Sequence, residues 1–488
     1  MLLNDYKEHA MNKRYTKTLI TGFSFLFMLA LLSGCKKFLD EVPENSLTRE
    51  EFFKTEADAN AAIVGVYDAL QLANTQFLRW GEMRGDLVSN DLDNVYLQLI
   101  DNTNSISVWT DAYRLIGRAN IVIEKVPEIP ALDKRFSEEQ SKAIVGEALF
   151  LRALSYFYLV RSFKEVPLVL QAPSSDAVDF LLPKSSADIV LNQVEADLIT
   201  AEKGVPVEYG RNVDTRGRAT KGAVNALLTD VYLWRKMYAE AAAAAKKVID
   251  NSTLYRLVPT ADWFTIFSQK NSTESIFEIQ YDAQLSEINS LRGLSNANLV
   301  NITLYNYFLG ENDRVRALNN TYREAGSRQF WKYTGLTTNN VERGSDDPNF
   351  IVYRLPDVML LRAEALIHLG DLQKVEAAEL INEVRKRAGV DSLDFLGANT
   401  TVDIFNQVLL KERAMELSME GKRWFDLVRF ATNANDPDLL ISRVVGSRLV
   451  ANRAQVRSRV VDSRAWYLPI HRDELAKNPN LVQNPYYR

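Results

Sequence analysis

Apolar residues recur at three- and four-residue steps through most of the chain, a pattern that predicts amphipathic helices. Residues 57–72 read as one, with Ala62, Val66, Ala69 and Leu70 inward. Residues 140–163 read as another, with Ala148, Leu151, Leu154, Tyr158 and Val160 inside. Its aromatic residues fall at helical spacing and read as core. Pro167 cannot continue a helix, so the chain turns there. Residues 186–203 give a further helix. Residues 217–250 give a pair broken near Lys236, and 358–369 and 374–387 a hairpin turning at Gly370-Asp371.

The stretch Leu410 to Arg429 combines both patterns. Leu410, Ala414, Leu417, Gly421, Trp424 and Val428 share one helical face, and Glu412, Arg413, Glu416, Glu420, Arg423, Asp426 and Arg429 crowd the other. Arg413 with Glu416, Glu420 with Arg423, and Asp426 with Arg429 stand three apart, close enough to pair. Gly421 costs about 1 kcal/mol inside a helix, so the chain is expected to bend there or admit another backbone. Glu416 and Glu420 are poor candidates for a catalytic pair, since neighbouring Arg and Lys lower both. An ion-paired helix wedged among others is the expectation.

Two stretches lose the helical period. In residues 81–109, Gly81, Gly85, Asn90, Asp91, Asp93, Asn94, Asp101, Asn102 and Asn104 break it. Long polar loops in a compact domain are more often functional than idle. Tyr96 is the surface aromatic expected here, and Trp109 is expected to join the next helix as core. Residues 251–352 form the second lapse. Residues 275–281 alternate and predict a strand, followed by loops with Tyr305, Tyr307, Phe330, Trp331 and Tyr333. Trp331 reads equally as a stacking platform or as a plug against the helices. Amides and carboxylates beside an exposed ring suit a sugar. Asn94, Tyr96, Tyr305 and Trp331 are therefore the candidate ligand-binding residues, by location and chemistry.

Composition narrows the classes. A net charge of -5 over 488 residues argues against nucleic acid. Three histidines and one cysteine cannot build a structural Cys/His zinc site or an intrachain disulfide. No metal and no cofactor are predicted. No G-x-S-x-G elbow, P-loop, H-E-x-x-H or dinucleotide fingerprint occurs. His368, near a hairpin turn, reads as structural or exposed.

Lys13, Arg14 and Lys17 precede an apolar run over residues 19–32, as in a secretory signal. Its end, Leu31-Leu32-Ser33-Gly34-Cys35, resembles a bacterial lipobox, which implies residues 1–34 as signal peptide and lipidation of Cys35. A buried cysteine closing a hydrophobic run is the plainer alternative. Met11 opens directly onto the basic region and is the better start. No other stretch is expected to span a membrane.

Hairpins of about 34 residues with alanine-rich second helices resemble tetratricopeptide units. The run Glu412-Arg413 to Arg429 resembles the E-R-x-x-E-L-x-x-E-G-x-R-W-F-D-L-x-R signature of the SusD/RagB outer-membrane nutrient-binding lipoproteins. Arg152 to Phe163 with Val166-Pro167-Leu168-Val169, Asp313 to Arg316, Lys332-Tyr333, and Asn478-Pro479 to Tyr487 resemble further family landmarks in the same order. His471 and Tyr486 depart from the usual proline and glycine. The resemblance implies a mostly α fold, with tetratricopeptide-like helical hairpins as scaffold and irregular loop and short-strand insertions. It implies one domain over residues 35–488, in parts of about 35–250 and 251–488. It also implies a lipid-anchored, surface-exposed outer-membrane protein that passes oligosaccharide, or peptide, to a SusC-like TonB-dependent transporter as a non-catalytic lid. Two other classes compete. A glycan hydrolase would need a partner carboxylate for Asp86, Asp91 or Asp93. A purely protein-binding helical scaffold would bind no soluble ligand.

Overall fold

The computed structural model describes residues 52–172, 181–323, 326–394 and 401–488. The expected signal peptide and lipidation site, residues 1–34 and Cys35, lie outside the described residues. Thr55 and Asp58 form a capping box that starts α1, Glu56–Glu82. This helix runs ten residues past the expected end and across Gly81. Then come α2, Thr110–Lys125, and α3, Glu138–Phe163, the latter opened by a Ser137–Gln140 capping box. Next are α4, Ala187–Gly204, α5, Lys221–Trp234, and α6, Tyr238–Ile249. The break between α5 and α6 falls at Lys236, whose φ is 60°. The insertion carries α7, Ile302–Gly310. The C-terminal part holds α8, Leu355–Leu369, α9, Lys374–Arg387, α10, Val402–Leu417, α11, Arg423–Asn433, α12, Asp438–Gly446, and α13, Val450–Val460.

The helices pack as successive hairpins. α1 lies on α2, α3 on α4, α5 on α6 and α8 on α9, with α6 against α8 joining the third hairpin to the fourth. The expected mostly α scaffold is therefore what forms. α3 departs from expectation in one respect. An 18-residue window of this 26-residue helix reaches a mean hydropathy of 1.5, long and apolar enough to cross a membrane, yet 89% of that window is buried inside the protein. It is the central core helix, and its aromatics are core as read: Phe77 of α1 stacks on Tyr158 at 4.1 Å. Trp109 is also core, as expected, and His368 stacks on Tyr238.

Among the described residues, four short strands tie the insertions down. β1, Val88–Ser89, pairs antiparallel with β3, Leu299–Val300. β2, Ser275–Ile279, pairs antiparallel with β4, Phe350–Arg354. β2 is buried at every residue rather than on alternate ones.

The stretch 410–429 is two helices, not one. α10 ends at Leu417 and α11 starts at Arg423, with Met419 at φ 64° and Gly421 at φ 70° between them. Gly421 both turns the chain and admits α1, since a Cβ on Gly81 would stand 1.8 Å from the Gly421 carbonyl oxygen. The charged residues do not face solvent. Glu412, Glu416, Glu420, Arg413, Arg423, Asp426 and Arg429 are all buried and mostly pair with other elements. Glu416 accepts from Arg354 at 2.5 Å, from Arg316 at 3.0 Å and from Arg387. Glu420 accepts from Lys332 and Arg354, both at 2.8 Å. Arg413 bonds Asp357 and Asp426, and Arg423 bonds Asp86; only Asp426–Arg429 forms as the spacing predicted. Burial pushes the carboxyls of Glu416 and Glu420 up, but the surrounding cations prevail and hold both below the ordinary value, Glu416 far below it. The Arg316–Glu416 and Lys332–Glu420 bonds show that three motifs far apart in sequence meet in one buried ionic network.

Glu82 behaves in the opposite way. Its carboxylate accepts from the backbone N–H of Met419 at 3.0 Å and of Gly421 at 3.1 Å. Burial nevertheless pushes its pKa up to about 7. The folded chain then holds this proton more tightly than the unfolded one. The stabilisation is complete below the ordinary carboxyl value and is lost as pH rises through about 7. Over that window Glu82 is expected to cost about 3 kcal/mol. Urea titrations between pH 5 and 8 should show that slope in the native chain and not in Glu82→Gln. Equal slopes would refute it.

Candidate functional site

The two loops singled out from sequence meet. β3 lies between β1 and the segment around Gln329, with the Val300 N–H donating to the Arg328 carbonyl at 2.7 Å. The Asn301 N–H donates to the Leu87 carbonyl at 2.8 Å. The Asn301 side chain caps α7 by accepting from Thr303 N–H, and its Nδ2 donates to Ser447 O at 2.9 Å. One residue therefore fixes the start of α7 against the first loop and the end of α12.

Tyr96 holds the same junction from beneath. Its hydroxyl donates to Ser447 O at 3.0 Å and accepts from Asn301 Nδ2 at 3.2 Å. The Arg448 guanidinium lies 3.7 Å over its ring and donates to the carbonyls of Tyr96, Gly85 and Arg84. Burial pushes the Arg448 pKa down to about 10, still protonated at neutral pH. Three backbone oxygens and a π face replace the water it loses.

This geometry corrects two of the expected ligand residues. Tyr96 is 2% exposed and cannot offer its ring to a sugar. Polar neighbours in sequence suggest a surface ring, but Tyr96 turns inward to partners distant in the chain, Asn301, Ser447 and Arg448. Trp331 is 0% exposed, with its Nε1 donating to Thr337 O at 2.9 Å. It is the plug of the insertion rather than a platform. Asn94 is exposed and Tyr305 half-buried, its ring 5.7 Å from that of Tyr322. These two stand on the segments that β1, β3 and Asn301 join.

Further amides bridge the two loops and the segment around Gln329. Asn90 Nδ2 donates to Ala297 O at 3.3 Å and to Asn298 Oδ1 at 3.4 Å, and Gln329 Nε2 donates to Asn296 Oδ1 at 2.5 Å. Leu92, at the tip of the first loop, is 95% exposed. Asn296 and Gln329 carried no sequence signal, because nothing in their local pattern says which loop they face. The surface thus offers amides and a phenol on a frame pinned by buried bonds, suited to hydroxyl-rich ligands.

The aspartates nominated for hydrolysis fare differently. Asp86 is buried and receives two bonds from Arg423, at 2.6 and 2.8 Å. Burial raises its carboxyl, but Arg423 prevails and keeps it below the ordinary value, the wrong direction for a general acid. Asp93 Oδ1 accepts from Val95 N–H at 2.6 Å, a loop-shaping bond. Among the described residues no group of His, Cys, Asp and Glu is arranged to hold a metal ion.

Residues 295–487 match the model of the SusD family, and residues 37–233 match a family model described as starch-binding, associating with the outer membrane. SusD-like protein P38 of Formosa agariphila is 28% identical, over 97% of this chain and 100% of its own length. A SusD-like protein of Bacteroides ovatus is 24% identical over 82% of this chain and 80% of its own. A SusD superfamily protein of Bacteroides vulgatus superposes with a TM-score of 0.73 at 24% identity, covering 89% of this chain and 100% of that one. A laminarin-binding SusD-like protein superposes with a TM-score of 0.67 at 25% identity and the same coverage. Matched along both its N-terminal and C-terminal parts, and built of helical hairpins around one buried ionic network, this chain belongs to the SusD/RagB family.

Proposed function

We propose that this chain is a lipoprotein of the outer membrane, anchored through Cys35 and exposed at the surface, that binds oligosaccharide. It captures the glycan and delivers it to a SusC-like TonB-dependent transporter, acting as a lid without making or breaking a bond. The observation that carries this reading is the surface bearing Asn94 and Tyr305, whose polar groups stand on a frame locked by Tyr96, Asn301 and Arg448. A frame ordered before binding spares the ligand the cost of ordering it. The laminarin-binding relative and the starch-binding family description support a glycan as the ligand class.

The double variant Asn94→Ala/Tyr305→Ala is expected to weaken polysaccharide binding by about 1–3 kcal/mol, the scale of losing one amide bond and one ring face. Affinity electrophoresis against starch, laminarin and a peptide panel measures it. Undiminished affinity for every ligand the native chain retains would move the site elsewhere, and preference for peptides would replace the glycan. Sugar released from a retained polysaccharide would refute a purely binding role. Co-purification with a TonB-dependent transporter tests the partner.

A further inference from the structure

Helix α7 carries tyrosines on two faces. Tyr305 and Tyr307 stand about 200° apart around the helix axis, so Tyr307 faces away from the surface just described. There it walls an open cleft of about 560 Å³, shared with Thr303 of the same helix, Gln407 of α10, and Asp436, Asp438 and Arg443 in and beside α12. This volume is in the range that holds small ligands.

The polar groups of the cleft are only partly used by the fold. Arg443 donates from Nη1 to Leu439 O at 2.8 Å, from Nη2 to Gln407 Oε1, and to the Tyr307 hydroxyl, all neutral acceptors. No ion pair of Arg443 forms among the described residues. Asp86, which contributes to its field, is committed to Arg423. Asp436 Oδ1 accepts from Asp438 N–H at 3.0 Å, and neither aspartate forms an ion pair among the described residues. Beside the ring, Lys411 Nζ lies 5.8 Å from the Tyr307 centroid but pairs with Glu311.

The lining thus offers two carboxylate acceptors, one guanidinium donor, an amide and an aromatic ring. Two negative charges against one positive charge oppose an anionic ligand. A neutral pyranose fits better: its hydroxyls donate to the aspartates and accept from Arg443, and its C–H face packs on the phenol ring. We infer that this cleft is a second saccharide site, for a neutral sugar unit, on the face of α7 opposite Tyr305. The inference rests on the reading of this chain as a glycan-binding protein.

The test uses the full-length chain purified in detergent, with starch and laminarin as neutral probes and polygalacturonate as the acidic one. Tyr307→Ala, Arg443→Gln and Asp438→Asn are each expected to weaken binding of a retained neutral glucan about fivefold or more. Combined with Asn94→Ala/Tyr305→Ala, the losses should multiply, as for independent sites. Asp438 is exposed, so its variant folds even if the others do not. Neutral glucan held equally by native chain and variants would overturn the second site while leaving the first intact. An effect confined to polygalacturonate would overturn the neutral assignment. A native chain that retains none of the three probes would overturn both the cleft and the glycan reading.

Discussion

Glu416→Gln is expected to lower the unfolding free energy by about 3–5 kcal/mol, the usual cost of removing one partner from a buried ionic cluster. Glu416 is fully buried and receives Arg316, Arg354 and Arg387. Glutamine keeps the shape but removes the charge, so three desolvated guanidinium groups lose a shared counter-ion. Each retains others: Arg354 keeps Glu274 and Glu420, Arg387 keeps Glu274, and Arg316 keeps Asp313 and Glu412. These residual pairs hold the effect toward the lower end of the range. The folded pKa of Glu416 is depressed, so its contribution is present above the ordinary carboxyl value and disappears as acid is added, the reverse of Glu82. Asp250→Asn provides the contrast, because its 2.8 Å pair with Lys246 is exposed and worth less than about 1 kcal/mol. Urea denaturation of the three proteins decides the matter. A Glu416→Gln loss as small as that of Asp250→Asn would mean the network is not what holds the C-terminal helices to the insertion.

Gly81→Ala is expected to cost at least about 3 kcal/mol, at the upper end of overpacking penalties. The new methyl group would meet backbone, the Gly421 carbonyl oxygen at 1.8 Å and its carbon at 2.5 Å. Backbone cannot rotate aside as a side chain does. Moving it would also pull Met419 and Gly421 from the Glu82 carboxylate. Gly65 lies in the same helix with nothing within 4 Å of its added Cβ. Gly65→Ala should therefore stabilise by about 0.5–1 kcal/mol, from helix propensity and a less flexible unfolded chain. Thermal melts that place both variants on the same side of the native chain would contradict the close approach of α1 to the turn before α11.

Periodicity alone located the helical hairpins, because an amphipathic helix must bury its apolar stripe wherever it packs. The limits of α9 and the break at Lys236 were both readable from local pattern. The end of α1 was not. Gly81 reads as a breaker in isolation, yet it stays helical because only glycine leaves room for the Gly421 turn. The charged face of residues 410–429 was likewise read as three local pairs, of which only Asp426–Arg429 forms. The other partners come from segments up to hundreds of residues away, as with Arg423 and Asp86.

The candidate surface divides in the same way. Loop composition pointed to two stretches that the fold brings together, since residues that break a period cannot be buried without partners. It could not say which aromatics within them stay exposed. Tyr96 and Trp331 found acceptors inside the protein, whereas Asn94 and Tyr305 remained toward solvent. The cleft beside Tyr307 had no sequence signature, because Gln407, Asp438 and Arg443 belong to helices that meet α7 only in the fold. By itself, then, the sequence determined the helical scaffold, the places where it is interrupted and the family, all of which follow from local spacing and ordered motifs. Tertiary structure alone decided which charges are buried as a network and which polar groups are left for a ligand, because both depend on partners distant in the chain.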